Sequence, residues 1–273
     1  MKTGICQMGF QDRMEDRLEK WYKGKSPHEI GCKQKRRRYV ASLVNKGVMH
    51  EYATAHGIPL PHRYAEVKDI NALDCSALPD RVVIKPSNSA DSDCVMLFSG
   101  GVEMFSGTPV SQEERKEFVE TVFSSGRFLN SRTKIIAEEF IQDYNPKYHI
   151  PRDFKVYVAG GSAHLIQVID RNGPKHLWTQ RCYLRDWTPF EDAFKTNYKV
   201  GEIIPKPPRL QELIDVSDYI AADISCFMRL DFFISSSRVV FGEFTSYPSA
   251  GVGFTESANK YLCELMDQYP DDF

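Results

Sequence analysis

Strand-like runs in this sequence arrive in closely spaced pairs, and that spacing constrains the fold more than any other feature. Asp153–Ala159 and Ala163–Asp170 flank Gly160-Gly161, and Phe227–Ile234 and Arg238–Phe244 are separated by three serines. Links this short join antiparallel neighbours, because a parallel crossover needs a dozen residues or more. Arg81–Lys85 (RVVIK) reads as a buried strand ended by Pro86. Cys94–Phe98 is a second strand, Ser99-Gly100-Gly101 turns into Val102–Phe105, and Lys134–Ile141 (KIIAEEFI) is a further strand. Helical patterns fall between these runs. Over Tyr39–His56, Val40, Leu43, Val44, Val48, Tyr52 and Ala55 share a face, and Gly57, Pro59 and Pro61 end it. Ser111 opens a helix to about Ser125 with Glu114 completing a capping box, and Gly126 stops it. Two more helices span Arg209 to about Ile224 and Thr255 to about Gln268. Hairpins interleaved with helices indicate an α+β class and not a regular βαβ series. The 273 residues allow one large domain or two intimate lobes.

Bulk properties exclude several function classes. A formal charge of −2 offers no basic field for nucleic acid. No apolar run approaches the ~20 residues of a membrane span, and Met1–Arg13 has no apolar signal core. Seven scattered cysteines without CxxC spacing read as reduced thiols of a cytoplasmic protein. The basic run Lys33–Arg38 reads as a solvated helix start, with contact to a phosphate-rich partner as the alternative. His149, His164 and His176 lack partners at metal spacing. No GxSxG and no GxxxxGK[ST] motif occurs. Trp178, Tyr183, Trp187 and Phe190 flank Lys175, Arg181 and Arg185, a pattern read first as sheet cover and second as an acceptor-substrate surface.

Chemistry concentrates in three places. Arg229-Leu230-Asp231 and Gly242-Glu243-Phe244-Thr245 lie on neighbouring antiparallel runs, so Asp231 and Glu243 can project onto one face and hold a hard cation such as magnesium. Arg229 shares the face of Asp231, where it can stabilise negative charge developing in a transfer reaction. The alternative is a surface ion pair between strands. Lys85 ends an apolar run and requires an anion if buried, which a nucleotide phosphate would supply; otherwise it snorkels to solvent. Glu138-Glu139-Phe140-Ile141 can present a hydrogen-bonding edge and apolar side chains to a base, or can be simply a strand with two acids.

Taken in order, these features resemble the ATP-grasp superfamily over roughly Lys46 to Gly251. Asp153-Phe154-Lys155-Val156-Tyr157-Val158, Arg229-Leu230-Asp231 and Gly242-Glu243-Phe244-Thr245 look most like its teichuronopeptide-biosynthesis branch. The resemblance implies a helical N-terminal segment (1–60), a small lobe (61–141) and a large lobe (142–273) with nucleotide between the lobes. It also implies roles. Lys46 and Lys85 touch ATP phosphates, and Ser89 belongs to the phosphate-covering loop. Glu138, Glu139, Phe140 and Ile141 form the adenine hinge, and Asp153 holds the ribose. Asp231, Glu243 and Thr245 bind magnesium, with manganese as a substitute. Arg229 and Lys155 act on the transferred phosphate. Two departures stand out: Thr245 replaces the usual Asn, and the loop Ser87–Asp93 has no glycine and carries Asp91 and Asp93.

The implied activity is ATP-dependent joining of a carboxylate to an amine through an acyl phosphate, in polysaccharide or peptide-conjugate biosynthesis. The implied partners are small-molecule or glycan carboxylates and amines, received by residues 142–152 and 171–208. A kinase acting on a sugar or glycan hydroxyl, and a non-catalytic nucleotide-binding protein, are the alternatives. Oligomeric state is left open.

Overall fold

Alternation of side chains builds both sheets, and it leaves one face of each turned toward a shared cleft. A computed structural model of the chain describes residues 9–22, 32–88, 93–126, 130, 133–190, 193–195 and 198–271. Three helices come first: α1 (Phe10–Tyr22), α2 (Cys32–Ser42) and α3 (Lys46–Ala55). The single helix expected over Tyr39–His56 is therefore two. Its interruption has a local cause: the Asn45 side chain accepts from Gly47 N at 2.9 Å and Val48 N at 3.3 Å, starting α3 afresh. Asparagine favours this position because its short amide satisfies the first free N–H groups of a helix. Lys46 thereby becomes the first residue of α3.

The first sheet comprises β1 (Arg63–Val67), β2 (Val82–Pro86), β3 (Met96–Ser99), β4 (Val102–Glu103), β5 (Thr108–Pro109) and, after helix α4 (Arg115–Ser124), β6 (Ile135–Glu139). Its order is β1-β6-β2-β3-β4-β5, antiparallel throughout. The run RVVIK is not buried on both faces as its composition implied. Val82 and Ile84 enter a core with Met96, Phe98 and Val119 beneath α4, whereas Val83 and Lys85 are only partly buried on the other face. The Ser111–Glu114 capping box forms reciprocally, Ser111 N to Glu114 Oε2 at 2.9 Å and Glu114 N to Ser111 Oγ at 3.3 Å, but it closes the turn that precedes α4.

The second sheet contains β7 (Asp153–Ala159), β8 (Ser162–Asp170), β9 (Thr179–Leu184), β10 (Pro189–Phe190) and β11 (Lys199–Val200), then, after α5 (Leu210–Ile224), β12 (Met228–Ile234) and β13 (Val239–Thr245). Its order is β10-β9-β8-β7-β12-β13, with β11 pairing parallel to β9. Phe154, Val156, Ile166, Leu230, Phe232 and Phe244 face the largest core, which α3 and α5 close with Tyr52, Leu213 and Ile220. Odd positions of β7 point the other way. Beyond Tyr157 that face is covered by Phe10 and Met14 of α1 and by Leu262 of α6 (Glu256–Gln268). Among the described residues no helix is long and apolar enough to cross a membrane, and no disulfide joins the described cysteines.

The β7–β8 turn uses both glycines in the left-handed region, Gly160 at φ 54° and Gly161 at φ 77°, as a tight hairpin requires. A Cβ on Gly160 would stand 2.1 Å from Cδ1 of Tyr269. Gly160→Ala is therefore expected to lower stability by about 2–4 kcal/mol, from left-handed strain plus overpacking. Denaturant unfolding of Gly160→Ala, Tyr269→Ala and the double variant checks this. Adding Tyr269→Ala should recover the clash but not the strain, and strictly additive losses would exclude the predicted collision.

Candidate functional site

The cleft between the two sheets is open at its mouth, with about 980 Å³ of space between its walls, the adjoining solvent included. Its first-sheet wall is apolar with a charged edge. Val83 and Leu97 lie on it, and the Lys85 ammonium pairs with the Glu138 carboxylate. Register explains that pair: Lys85 stands opposite Ile136, so Glu138 is its diagonal neighbour on the same face of β6. An anion for Lys85 is thus already supplied by the protein, contrary to the expectation that only a ligand would provide one. Lys46 enters from α3, is 8% exposed, and donates to Pro86 O at 3.4 Å. Burial and the neighbouring Lys85 both lower its pKa.

The second-sheet wall is a row of alternating charges. Asp231 of β12 stands directly opposite Glu243 of β13 on one side and Lys155 of β7 on the other. Gly242 is the extra residue of a bulge in β13, immediately before Glu243. Arg229, two residues along from Asp231, closes a fork on it, Nε to Oδ1 at 2.7 Å and Nη2 to Oδ2 at 2.8 Å, and Nη2 also donates to Thr245 Oγ1 at 3.0 Å. Lys155 pairs with Asp231 and lies 3.5 Å from Asp153, and Asp153 in turn pairs with Arg171. Burial alone would raise the Asp231 pKa, but Arg229 and Lys155 outweigh it and hold the carboxyl at about 2. Burial likewise opposes, and Arg171 and Lys155 outweigh, at Asp153, whose pKa is lowered. Glu243 moves the other way, raised by burial and by the facing Asp231, although 41% of its side chain is exposed.

The structure brings Lys46, Lys85, Glu138, Glu139, Ile141, Asp153, Lys155, Asp231 and Glu243 to the wall of this one cleft. Three other expected residues stand elsewhere. Phe140 packs beside the wall with Leu97 and Ile150. Arg229 and Thr245 sit behind the cleft wall: Arg229 forks onto Asp231 and lies 3.9 Å from Glu243, and Thr245 accepts from Arg229. Ser89, with Asp91, lies outside the described residues. The Glu139 carboxylate is held by Arg238 at 2.6 Å and by His62 N at 2.9 Å, which ties the end of β6 to the β12–β13 turn. Sequence reasoning missed Arg171. The signal was present: Asp153 pairs with Ile169, and Arg171 follows two residues later on the same face.

Among the described residues no three His, Cys, Asp or Glu side chains group to hold a metal. Magnesium needs fewer, since it keeps waters and takes substrate phosphates as ligands. Two facing carboxylates suit it, and a cation between them would offset the repulsion that raises the Glu243 pKa. Asp231 accepts three hydrogen bonds in all and retains a lone pair on Oδ1. The residues present therefore fit a magnesium–phosphate complex.

The profile of TupA-like ATP-grasp proteins matches residues 29–267. This chain belongs to that family. Solved structures carry the same fold at low identity. D-alanyl-alanine synthetase A from Vibrio cholerae superposes with a TM-score of 0.54 at 12% identity, covering 88% of this chain and 66% of that one. D-alanine–D-alanine ligase from Bacillus anthracis gives 0.50 at 14%, covering 86% and 67%. The same ligase complexed with ATP gives 0.48 at 15%, covering 84% and 61%. The chain thus spans about three-fifths to two-thirds of the length of these ligases. No curated protein matches the sequence.

The depressed pKa of Asp231 has a consequence for acid unfolding. Its ionised form is favoured in the folded state, so the stabilisation is complete above the unfolded carboxyl value and lost as pH falls through the folded one. Between about pH 4 and pH 2 the wild-type protein should lose about 2 kcal/mol more than Asp231→Asn. Denaturant titrations at the two pH values measure this, and parallel acid slopes would show that the ion pairs do not hold Asp231.

Proposed function

We propose that this ATP-grasp protein is an ATP-dependent ligase that joins a carboxylate to an amine through an acyl phosphate. One observation carries the reading. The facing carboxylates Asp231 and Glu243, with Lys155 beside them, share a cleft with Lys85 and Lys46 on its other side. Cations and paired carboxylates converging in a half-buried cleft suit a metal–polyphosphate ligand better than any neutral one. The fold shared with D-alanine–D-alanine ligases supports the same class of activity.

On this reading residues 61–141 and 142–273 serve as two lobes behind a helical segment, 1–60. Lys46, Lys85 and Lys155 bind the phosphate chain, and Ser89 joins them from the covering loop. Glu138, Glu139 and Ile141 border the base, Phe140 supports them from behind, and Asp153 takes the ribose hydroxyls. Asp231 and Glu243 would hold magnesium or manganese, with Thr245 assisting through water. The ion, when bound, neutralises phosphate charge and polarises the transferred group. Arg229 acts at one remove. Its fork fixes the Asp231 carboxylate and keeps it ionised, so the site is assembled before substrate arrives. Small-molecule or glycan carboxylates and amines would enter beside residues 142–152 and 171–208; a role in polysaccharide or peptide-conjugate synthesis follows from the family resemblance, and a cytoplasmic setting from the scattered cysteines.

A screen of carboxylate–amine pairs for ADP release tests the activity. Ligation gives phosphate and an amide, whereas a phosphorylated hydroxyl product would mark a kinase. A thermal shift with ATP and magnesium but no turnover with any pair would mark a binding protein. Glu243→Gln should abolish ADP release while leaving the melting curve near that of wild type, because an amide holds magnesium poorly; a fully active variant would exclude the metal role. Lys85→Met alone strands the Glu138 carboxylate, and Glu138 is itself placed at the base, so Lys85→Met with Glu138→Gln is compared with Glu138→Gln alone. The double variant should fold yet bind ATP at least about tenfold more weakly than the single one, one lost charge-assisted contact being worth about 1.5–3 kcal/mol. Unchanged ATP affinity by calorimetry would remove β2 from the nucleotide site.

A further inference from the structure

Arg171 is a cleft residue that the reaction as described leaves unused. It follows β8 and lines the cleft beside Asp153, with 12% of its side chain exposed. Among the described residues its guanidinium makes one hydrogen bond, from Nη1 to Asp153 Oδ2. Nε is buried and has no hydrogen-bond partner among the described residues. A guanidinium carries five N–H donors in a planar fork. Burying donors without partners costs free energy that an incoming anion would recover.

The surroundings hold that fork ready. The guanidinium carbon lies 5.5 Å from the ring centroid of Trp178, a contact that favours the charged group without consuming its in-plane donors. Trp178 is itself fixed: its Nε1 donates to Gly173 O at 3.0 Å, and Phe105 from the first sheet approaches its ring at 6.1 Å. Burial works against the charge, but Asp153 more than offsets it, so the Arg171 pKa is raised and the group stays cationic. It is no proton donor or acceptor for catalysis.

Charge balance identifies what the fork would take. Among the described residues five carboxylates line the cleft; Glu139 is held by Arg238 outside it, and the other four, Glu138, Asp153, Asp231 and Glu243, are matched by the lining cations Lys46, Lys85, Lys155 and Arg171. A polyphosphate entering this balanced cleft needs cations whose donors are still available. Lys85 has spent one of its three donors on Glu138 and Lys155 lies between Asp231 and Asp153, so both keep fewer donors than Arg171, which among the described residues has spent one of its five. We propose that Arg171 is a phosphate-binding residue of the nucleotide site, donating its remaining N–H groups to nucleotide phosphate oxygens while Asp153 and Trp178 hold it in place. The inference rests on the nucleotide reading given above and adds to it a ligand-binding side chain on β8.

Calorimetry with ATP–magnesium, ADP–magnesium and adenosine as titrants, on wild type, Arg171→Met and Arg171→Lys, tests it. Arg171→Met should weaken ATP and ADP at least tenfold more than adenosine, which shares only the Asp153 side of the site. Arg171→Lys keeps a charge for Asp153 but loses the fork, and should weaken ATP severalfold with a melting curve near wild type. That second variant decides the matter if Arg171→Met does not fold. Trp178 supplies an independent readout: in a Trp21→Phe, Trp187→Phe background, ATP should change indole emission, and Arg171→Met should abolish the change. Wild-type affinity for ATP in both Arg171 variants overturns the inference and leaves the nucleotide site standing. Equal losses for ATP and adenosine overturn it too, since a phosphate contact cannot act on adenosine. A wild-type protein that binds none of the three overturns the nucleotide reading itself.

Discussion

An alternating chain of charges, Arg229–Asp231–Lys155–Asp153–Arg171, crosses β12, β7 and the end of β8, and the cleft depends on it. Each member alone would be costly to place on a half-buried sheet face. Together they neutralise one another in pairs, and every carboxylate finds two cations. The arrangement keeps two acids ionised within a wall whose other face is apolar core. Its geometry follows from antiparallel register, which sets residues of adjacent strands opposite each other at a fixed spacing.

The rest of the fold serves this wall. Phe154, Val156, Leu230 and Phe232 alternate with the charged positions and anchor both central strands on α3 and α5. Fixing the buried face fixes the exposed one, because a slip of one residue would exchange them. The loop before β7 is held as firmly. Arg152 forks onto Asp143, Nε to Oδ2 at 2.9 Å and Nη2 to Oδ1 at 2.8 Å, and stacks on Tyr148 at 3.8 Å. That buried pair sets where β7 begins and therefore where Asp153 and Lys155 stand. On the opposite lobe, the bond between Glu139 and Arg238 ties the end of β6 to the second sheet.

Much of this was legible in the residues. Short Gly-Gly and Ser-rich links announced antiparallel hairpins, and spacing put Arg229 and Asp231 on one face with Glu243 across from them. Those are local facts, governed by a two-residue period and a short turn. The apolar look of RVVIK misled, because a strand with one face on a core and the other on an apolar cleft wall has the composition of a strand buried on both. Asn45 misled in the opposite way: the apolar face runs on through it, and its capping bond, which breaks the helix, is a side-chain choice that periodicity does not register.

Hairpin pairing, the α+β class and the composition of the charged row were determined by the sequence alone, because each rests on neighbours in the chain or on a register that turns dictate. The tertiary structure alone decided which charges meet. Lys46 and Pro86 lie 40 positions apart, Lys85 and Glu138 53, and Lys155 and Asp231 76. The β7–β8 hairpin lays Arg171 beside Asp153, but only the approach of the first sheet makes that position a cleft wall. No local preference encodes such contacts. They exist because two sheets bury their apolar faces on separate cores and leave their charged edges facing each other.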